Sequence, residues 1–107
     1  MTNFDDRERA FETKFARDEE TKFRVRARRD RLVGLWAAEK LGMRGEAAKD
    51  YAATVVKADF EEPGDEDVIR KLLADFQDKA VPMDRETLLA ELIRQEGIAK
   101  QQLSAQE

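Results

Sequence analysis

The chain predicts an all-α fold: a four-helix bundle whose long first helix carries an N-terminal arm past the bundle. Three observations point there. Of the 107 residues, 41% are charged and 41% hydrophobic, with only five Gly and two Pro. Ala, Leu, Glu, Lys and Arg dominate, which favours helix throughout. Chain breakers cluster at Gly42 and Gly45, at Pro63-Gly64 and at Val81-Pro82, and the stretches between them repeat apolar residues at helical spacing.

The first segment runs from about Phe4 to Leu41. In its N-terminal half, Asp5–Arg9, Asp18–Lys22 and Glu20–Arg24 are spaced for i,i+4 ion pairs, each contributing a few tenths of a kcal/mol. Its other half, RLVGLWAAEKL, is apolar, and Leu32, Val33, Leu35, Trp36 and Leu41 are expected to bury. Trp36 between Leu35 and Ala37 reads as a core anchor. The second segment, about Glu46 to Glu61, gathers Ala48, Tyr51, Ala52, Val55 and Val56 on one face. The third opens with Asp65-Glu66-Asp67, acids that suit the positive end of a helix, and places Ile69, Leu72, Leu73, Phe76 and Ala80 on one stripe. The fourth is capped by Asp84, carries Leu88, Leu89, Leu92 and Ile93, and is expected to fray after Gly97.

Length sets the arm apart. A fully helical first segment of 38 residues spans about 57 Å, against about 24–30 Å for its partners, so roughly half of it overhangs. From Phe4 to Glu20, eleven of seventeen side chains are charged, and Phe4, Phe11 and Phe15 provide almost all the apolar bulk. On a helix these rings fall within roughly 40° of one another. So thin a stripe cannot hold a domain together, but it can fill a groove on another protein. The alternative is an extension whose stripe lies against its own domain. High charge and few apolar groups predict an arm that is disordered or transiently helical until something binds it. The expected division is an arm over 1–20 and a bundle over 21–107.

Composition excludes much chemistry. With no Cys and no His, the chain lacks thiol nucleophiles, disulfides, thiolate zinc sites and histidine bases. It also lacks the usual switch near neutral pH. No Gly-rich phosphate loop is present. Carboxylate pairs are frequent, but none sits among residues expected to desolvate it, so no catalytic residue, cofactor or metal site is expected. The acidic run Asp59 to Asp67 lacks the ligand spacing of an EF-hand loop and reads as a solvated turn followed by helix-start acids. The net charge of −4 argues against a nucleic-acid binder. No apolar run approaches the ~18 residues needed to span a bilayer, and no signal core precedes the charged start. A cytoplasmic, monomeric protein is the expectation.

Residues 22–31, KFRVRARRDR, carry six basic groups and one acid. On a helix Lys22, Arg26 and Arg29 share one side, while Arg24, Arg28 and Arg31 lie near the opposite side. Two flanking rows suggest stems covering a hydrophobic strip with charged heads in water, whereas a phosphate-binding patch uses one face.

Three blocks, FDDRERAFETKFARDEE, ARRDRLVGLWAAEKLG and YAATVVKADFEEPGDEDVIRKL, resemble the ATP synthase zeta subunit of bacteria, the ATPase inhibitor family. The likeness runs through nearly the whole chain and is sharpest from Phe4 to about Phe76. It implies a four-helix protein whose N-terminal arm lodges in the catalytic head of F-type ATP synthase, at an interface of the large subunits and against the rotating shaft, so that rotation in the hydrolysis direction is blocked. Bound there, the protein would sit at the inner face of the plasma membrane without inserting into it. The family's inhibitory region falls on residues 1 to about 20. Phe4, Phe11 and Phe15 then become apolar anchors, and Asp5, Arg7, Arg9, Lys14 and Arg17 polar partner-binding residues. A rival reading is a general interaction bundle that binds a small anion, nucleotide or cation.

Overall fold

A computed structural model describes the backbone of residues 3–61 and 64–106 and the side chains of residues 19–61 and 64–105. Its four helices are α1 (Asn3–Lys40), α2 (Gly45–Glu61), α3 (Glu66–Asp78) and α4 (Arg85–Gln106). The first turn forms because Gly42 takes the left-handed conformation (φ 85°). The Gly42 and Met43 N–H groups can then bond the Glu39 and Ala38 carbonyls at 3.1 and 2.8 Å, closing the helix end. Past α3 the same motif recurs on Ala80 (φ 56°), with Val81 N–H bonded to Phe76 O at 2.9 Å. Ala80 therefore leaves the stripe assigned to it and is exposed. Asp84 caps α4 as expected: its Oδ1 accepts the Thr87 N–H at 2.7 Å.

The core joins all four helices through Val33, Ala37, Val55, Val68, Ile69, Leu72, Phe76, Leu88 and Leu92. Trp36 lies at its margin, half-buried, edge-on to Phe76 with ring centroids 6.3 Å apart. α1 and α2 approach so closely at Gly34 that a Cβ there would sit 2.6 Å from Ala52 Cα. No larger residue fits without parting the helices.

Two expectations for α4 are corrected. It does not fray at Gly97 but continues to Gln106, because Ala99 is fully buried and Gln102 accepts a hydrogen bond from Arg28 at 3.2 Å. Its inward face is Leu88, Leu92, Gln95 and Ala99, whereas Leu89 and Ile93 are exposed. The first four recur at spacings of four, three and four, and so share one side of the helix.

α1 is antiparallel to α2 and α4. Arg26 meets Asp59 near the end of α2, and Arg28 meets Gln102 near the end of α4. Both partners thus finish beside residues 21–28 of α1. At 38 residues, α1 is about 57 Å long and continues past that level toward its N-terminus. The molecule measures 65 × 25 × 21 Å. The Phe4, Phe11 and Phe15 stripe, and the expectation of an arm disordered when free, fall on residues outside the described side chains.

Candidate functional site

The described part of α1 that leads into the arm is anchored by a buried charge cluster. Arg26 donates Nε–H to Asp59 Oδ2 at 2.5 Å and Nη2–H to Asp59 Oδ1 at 2.6 Å. This planar two-point contact is the strong form of an Arg–carboxylate bond. One turn on, Arg29 Nη2 lies 2.9 Å from Asp30 Oδ1, 3.0 Å from Asp65 Oδ1 and 3.6 Å from Asp59 Oδ2. Arg29 Nη1 lies 3.6 Å from Glu96 Oε1. Two guanidiniums on α1 thus hold acids from α1, α2, the N-cap of α3 and α4. Asp65 provides that N-cap position without a side-chain cap bond, its carboxylate being taken by Arg29.

Three sequence expectations change here. Arg29 does not keep its head in water; it is 4% exposed. Asp59 is no solvated turn acid. Together Asp30 and Asp59, 0% and 1% exposed, form a desolvated carboxyl pair that the sequence reading excludes. Burial pushes the Asp30 carboxyl up, a hydrogen bond to Asp59 adds to this, and the Arg29 charge only partly opposes it. The result is about 8. Burial also opposes ionisation of Asp59, but the Arg26 hydrogen bonds, the Asp30 contact and both guanidinium charges outweigh it and hold that carboxyl below its usual range. Arg26 is raised above its ordinary value, chiefly by the Asp59 hydrogen bond. Arg29 is raised as well, its burial being overcome by the Asp30 and Asp65 charges. Sealed from solvent, the pair can hold or release a proton but meets no substrate atom.

Beside the cluster is an exposed aromatic pair the sequence reading missed. Phe23 and Phe60 are 58% and 40% exposed, with ring centroids 4.7 Å apart. The Arg26 guanidinium sits 5.4 Å from the Phe60 centroid. Phe23 inside KFRVR and Phe60 inside DFEE, each flanked by charge, were the available signal. A groove of about 960 Å³ adjoins Phe23, between α1, α2 and the last turns of α4. Arg24, Arg28, Arg31 and Lys49 line it around Leu35 and Val56.

The partner-binding residues read from sequence, Phe4, Asp5, Arg7, Arg9, Phe11, Lys14, Phe15 and Arg17, all fall on the N-terminal half of α1. Their side chains lie outside the described residues. The Glu20–Arg24 pair at the end of that half is formed, with Arg24 donating to Glu20 Oε1 at 2.7 Å. Among the described residues no cluster of acids could hold a metal ion, and no helix is long and apolar enough to cross a membrane.

The family model described as ATPase inhibitor subunit zeta matches residues 1–102. A solved solution NMR structure is 45% identical over 80% of this chain and 98% of its own, with a TM-score of 0.71. No curated protein matches.

Proposed function

Because the chain belongs to the ATPase inhibitor subunit zeta family, and so has an inhibitor's role in association with ATP synthase, we propose that residues 1–20 are the inhibitory element and residues 21–107 the bundle that presents it. The arm enters the catalytic head of the synthase as a helix and lodges at an interface of the large subunits against the rotating shaft. Hydrolytic rotation stops there. Phe4, Phe11 and Phe15 are the apolar anchors, and Asp5, Arg7, Arg9, Lys14 and Arg17 make the flanking polar contacts. The protein works as a monomer, without a cofactor, on the cytoplasmic side and at the inner membrane face when bound.

The supporting observation is the end of the bundle. α2 and α4 finish beside residues 21–28 of α1, and the first buried residue of α1 among the described residues is Val25. α1 nevertheless extends to Asn3. A helix in this position, with a three-ring stripe and dense charge, has the pattern of a helix-in-groove ligand. The test is ATP hydrolysis by the cognate synthase with and without the purified chain. Replacing Phe11 and Phe15 by Ser is expected to relieve inhibition, since buried interface aromatics commonly contribute about 2 kcal/mol or more each. Undiminished inhibition by that variant removes the anchors from the reading.

The groove beside Phe23 favours a second reading, a bundle that binds a small anion. Among the described residues four cations line it and no acid does. Millimolar phosphate or nucleotide shifting resonances around Arg24, Arg31 and Lys49, with ATP hydrolysis unaffected by the chain, would favour this alternative.

A further inference from the structure

The Asp30–Asp59 pair is placed where a proton could alter how the arm is held. Both carboxyls are sealed from water. Asp30 Oδ1 accepts from Arg29 Nε and Nη2 at 3.1 and 2.9 Å. Asp30 Oδ2 is buried with no hydrogen-bond donor facing it among the described residues. Asp59 shares the Arg29 head with Asp30, Arg29 Nη2 lying 2.9 Å from Asp30 Oδ1 and 3.6 Å from Asp59 Oδ2, and its own two oxygens are taken by Arg26. Two carboxylates cannot bond each other; a carboxyl and a carboxylate can, provided one proton is present. A proton on the bare Asp30 oxygen therefore satisfies a buried polar atom and removes one buried charge in the same step.

The surroundings set the balance. Around the Arg29 head that binds Asp30 are Asp59 on α2, Asp65 ahead of α3 and Glu96 on α4, itself 3.9 Å from Lys100, and Arg26 on α1 binds Asp59 in turn. With Asp30 neutral, two guanidiniums face three carboxylates. When Asp30 ionises, they face four, and two of those are fully buried against each other. The separation that relieves this repulsion parts α1 from α2 at the Arg26–Asp59 contact, beside the Phe23–Phe60 ring pair that also joins the two helices near the arm.

We propose that Asp30 and Asp59 share a single solvent-derived proton whose loss loosens residues 22–30 of α1 from α2, making the hold on the arm pH-dependent in a chain without histidine. The consequence for inhibition rests on the arm reading above; the proton pair and the loosening do not.

The sign follows from linkage. The Asp30 carboxyl titrates higher in the folded protein than in the unfolded chain. Opening therefore releases a proton at every pH between the ordinary carboxylate range and about 8. The stabilisation is complete below that window, declines through it and is gone above it.

The experiment is carbon-detected NMR of the aspartate carboxyls in the full chain, with amide hydrogen exchange on the same sample. One aspartate carboxyl is expected to titrate with a midpoint between about 6.5 and 9, and that signal is expected to vanish in Asp30→Asn. Protection factors of residues 22–30 should fall by about tenfold per pH unit from pH 5 to 8 and level off above, as one linked proton requires. In Asp30→Asn, whose amide mimics the protonated acid, they should stay flat over that range. All aspartate carboxyls of the parent titrating below pH 5 would overturn the shared proton. A carboxyl titrating near neutral with unchanged protection of residues 22–30 would overturn the loosening. Neither readout involves the synthase, so failure of the inhibitor reading would appear separately, in the hydrolysis assay alone.

Discussion

The two ends of α1's packed half are made of different materials. Toward the first turn, Val33 and Ala37 join Leu72, Phe76 and Leu88 in one buried apolar cluster. One to two turns back, Arg26, Arg29 and Asp30 occupy the same face of the helix and meet Asp59, Asp65 and Glu96. Apolar burial stabilises by about 25 cal/mol per Å² removed from water, whatever the pH. A buried ion cluster roughly offsets its own desolvation, and its contribution changes with protonation. The apolar end thus holds the fold, and the charged end, from which the arm departs, holds it conditionally.

Changes at the two ends should accordingly differ in size and pH response. The largest is expected from Phe76→Ala, which empties a fully buried site at a cost of about 3–5 kcal/mol. Chemical denaturation should show this loss equally at pH 6 and pH 8, because no titrating group touches the site through a hydrogen bond. A loss that differs strongly between the two would mean the ends are not separable.

Next comes Gly34→Ala, at the boundary, one turn from Asp30. The added methyl would meet Ala52 backbone at 2.6 Å, so α1 and α2 must move apart, at about 2–3 kcal/mol. Separation also loosens the Arg26–Asp59 contact, and hydrogen exchange in residues 22–30 should quicken. An unchanged melting temperature would contradict the close approach.

The smallest is Gly97→Ala, in α4 beside Glu96. A Cβ added there would meet no described atom within 4 Å beyond its chain neighbours and its own helix backbone, and replacing glycine inside a helix gains about 1 kcal/mol. A rise of a few degrees in the melting temperature is the expected result. A fall would show that α4 does not run unbroken through Gly97.

The sequence made the apolar end legible and the charged end nearly illegible. Gly42, Gly64 and Pro82 mark the turns, and Val33, Val55, Ile69, Leu72 and Phe76 recur at helical spacing, so the helices and most of the core follow from periodicity. The same method misreads the arm end, because it counts every charged residue as outward-facing. Continuing the Val33–Ala37 face backward reaches Asp30, Arg29 and Arg26, and continuing Ala52–Val55 forward reaches Asp59. The position was in the sequence; the pairing that allows such groups to bury was not, since it needs four helices in one place. In α4 the fault was one of rotation: Leu89 and Ile93 belong to the neighbouring, exposed strip, and Gln95 and Ala99 to the core. The partner-binding residues of the arm rest on the aromatic stripe and the family likeness alone.

The central claim, that the arm inhibits and the bundle presents it, is tested most directly by deleting residues 1–19. ATP hydrolysis by the cognate synthase and the melting temperature of the free chain are measured for parent and truncated protein. The first buried residue of α1 among the described residues is Val25, so the truncated bundle is expected to melt close to the parent while inhibition is lost. A truncated chain that still inhibits would move the functional surface onto the bundle, to the cations around the Phe23 groove. One that melts far below the parent would show that the phenylalanine stripe belongs to the protein's own core.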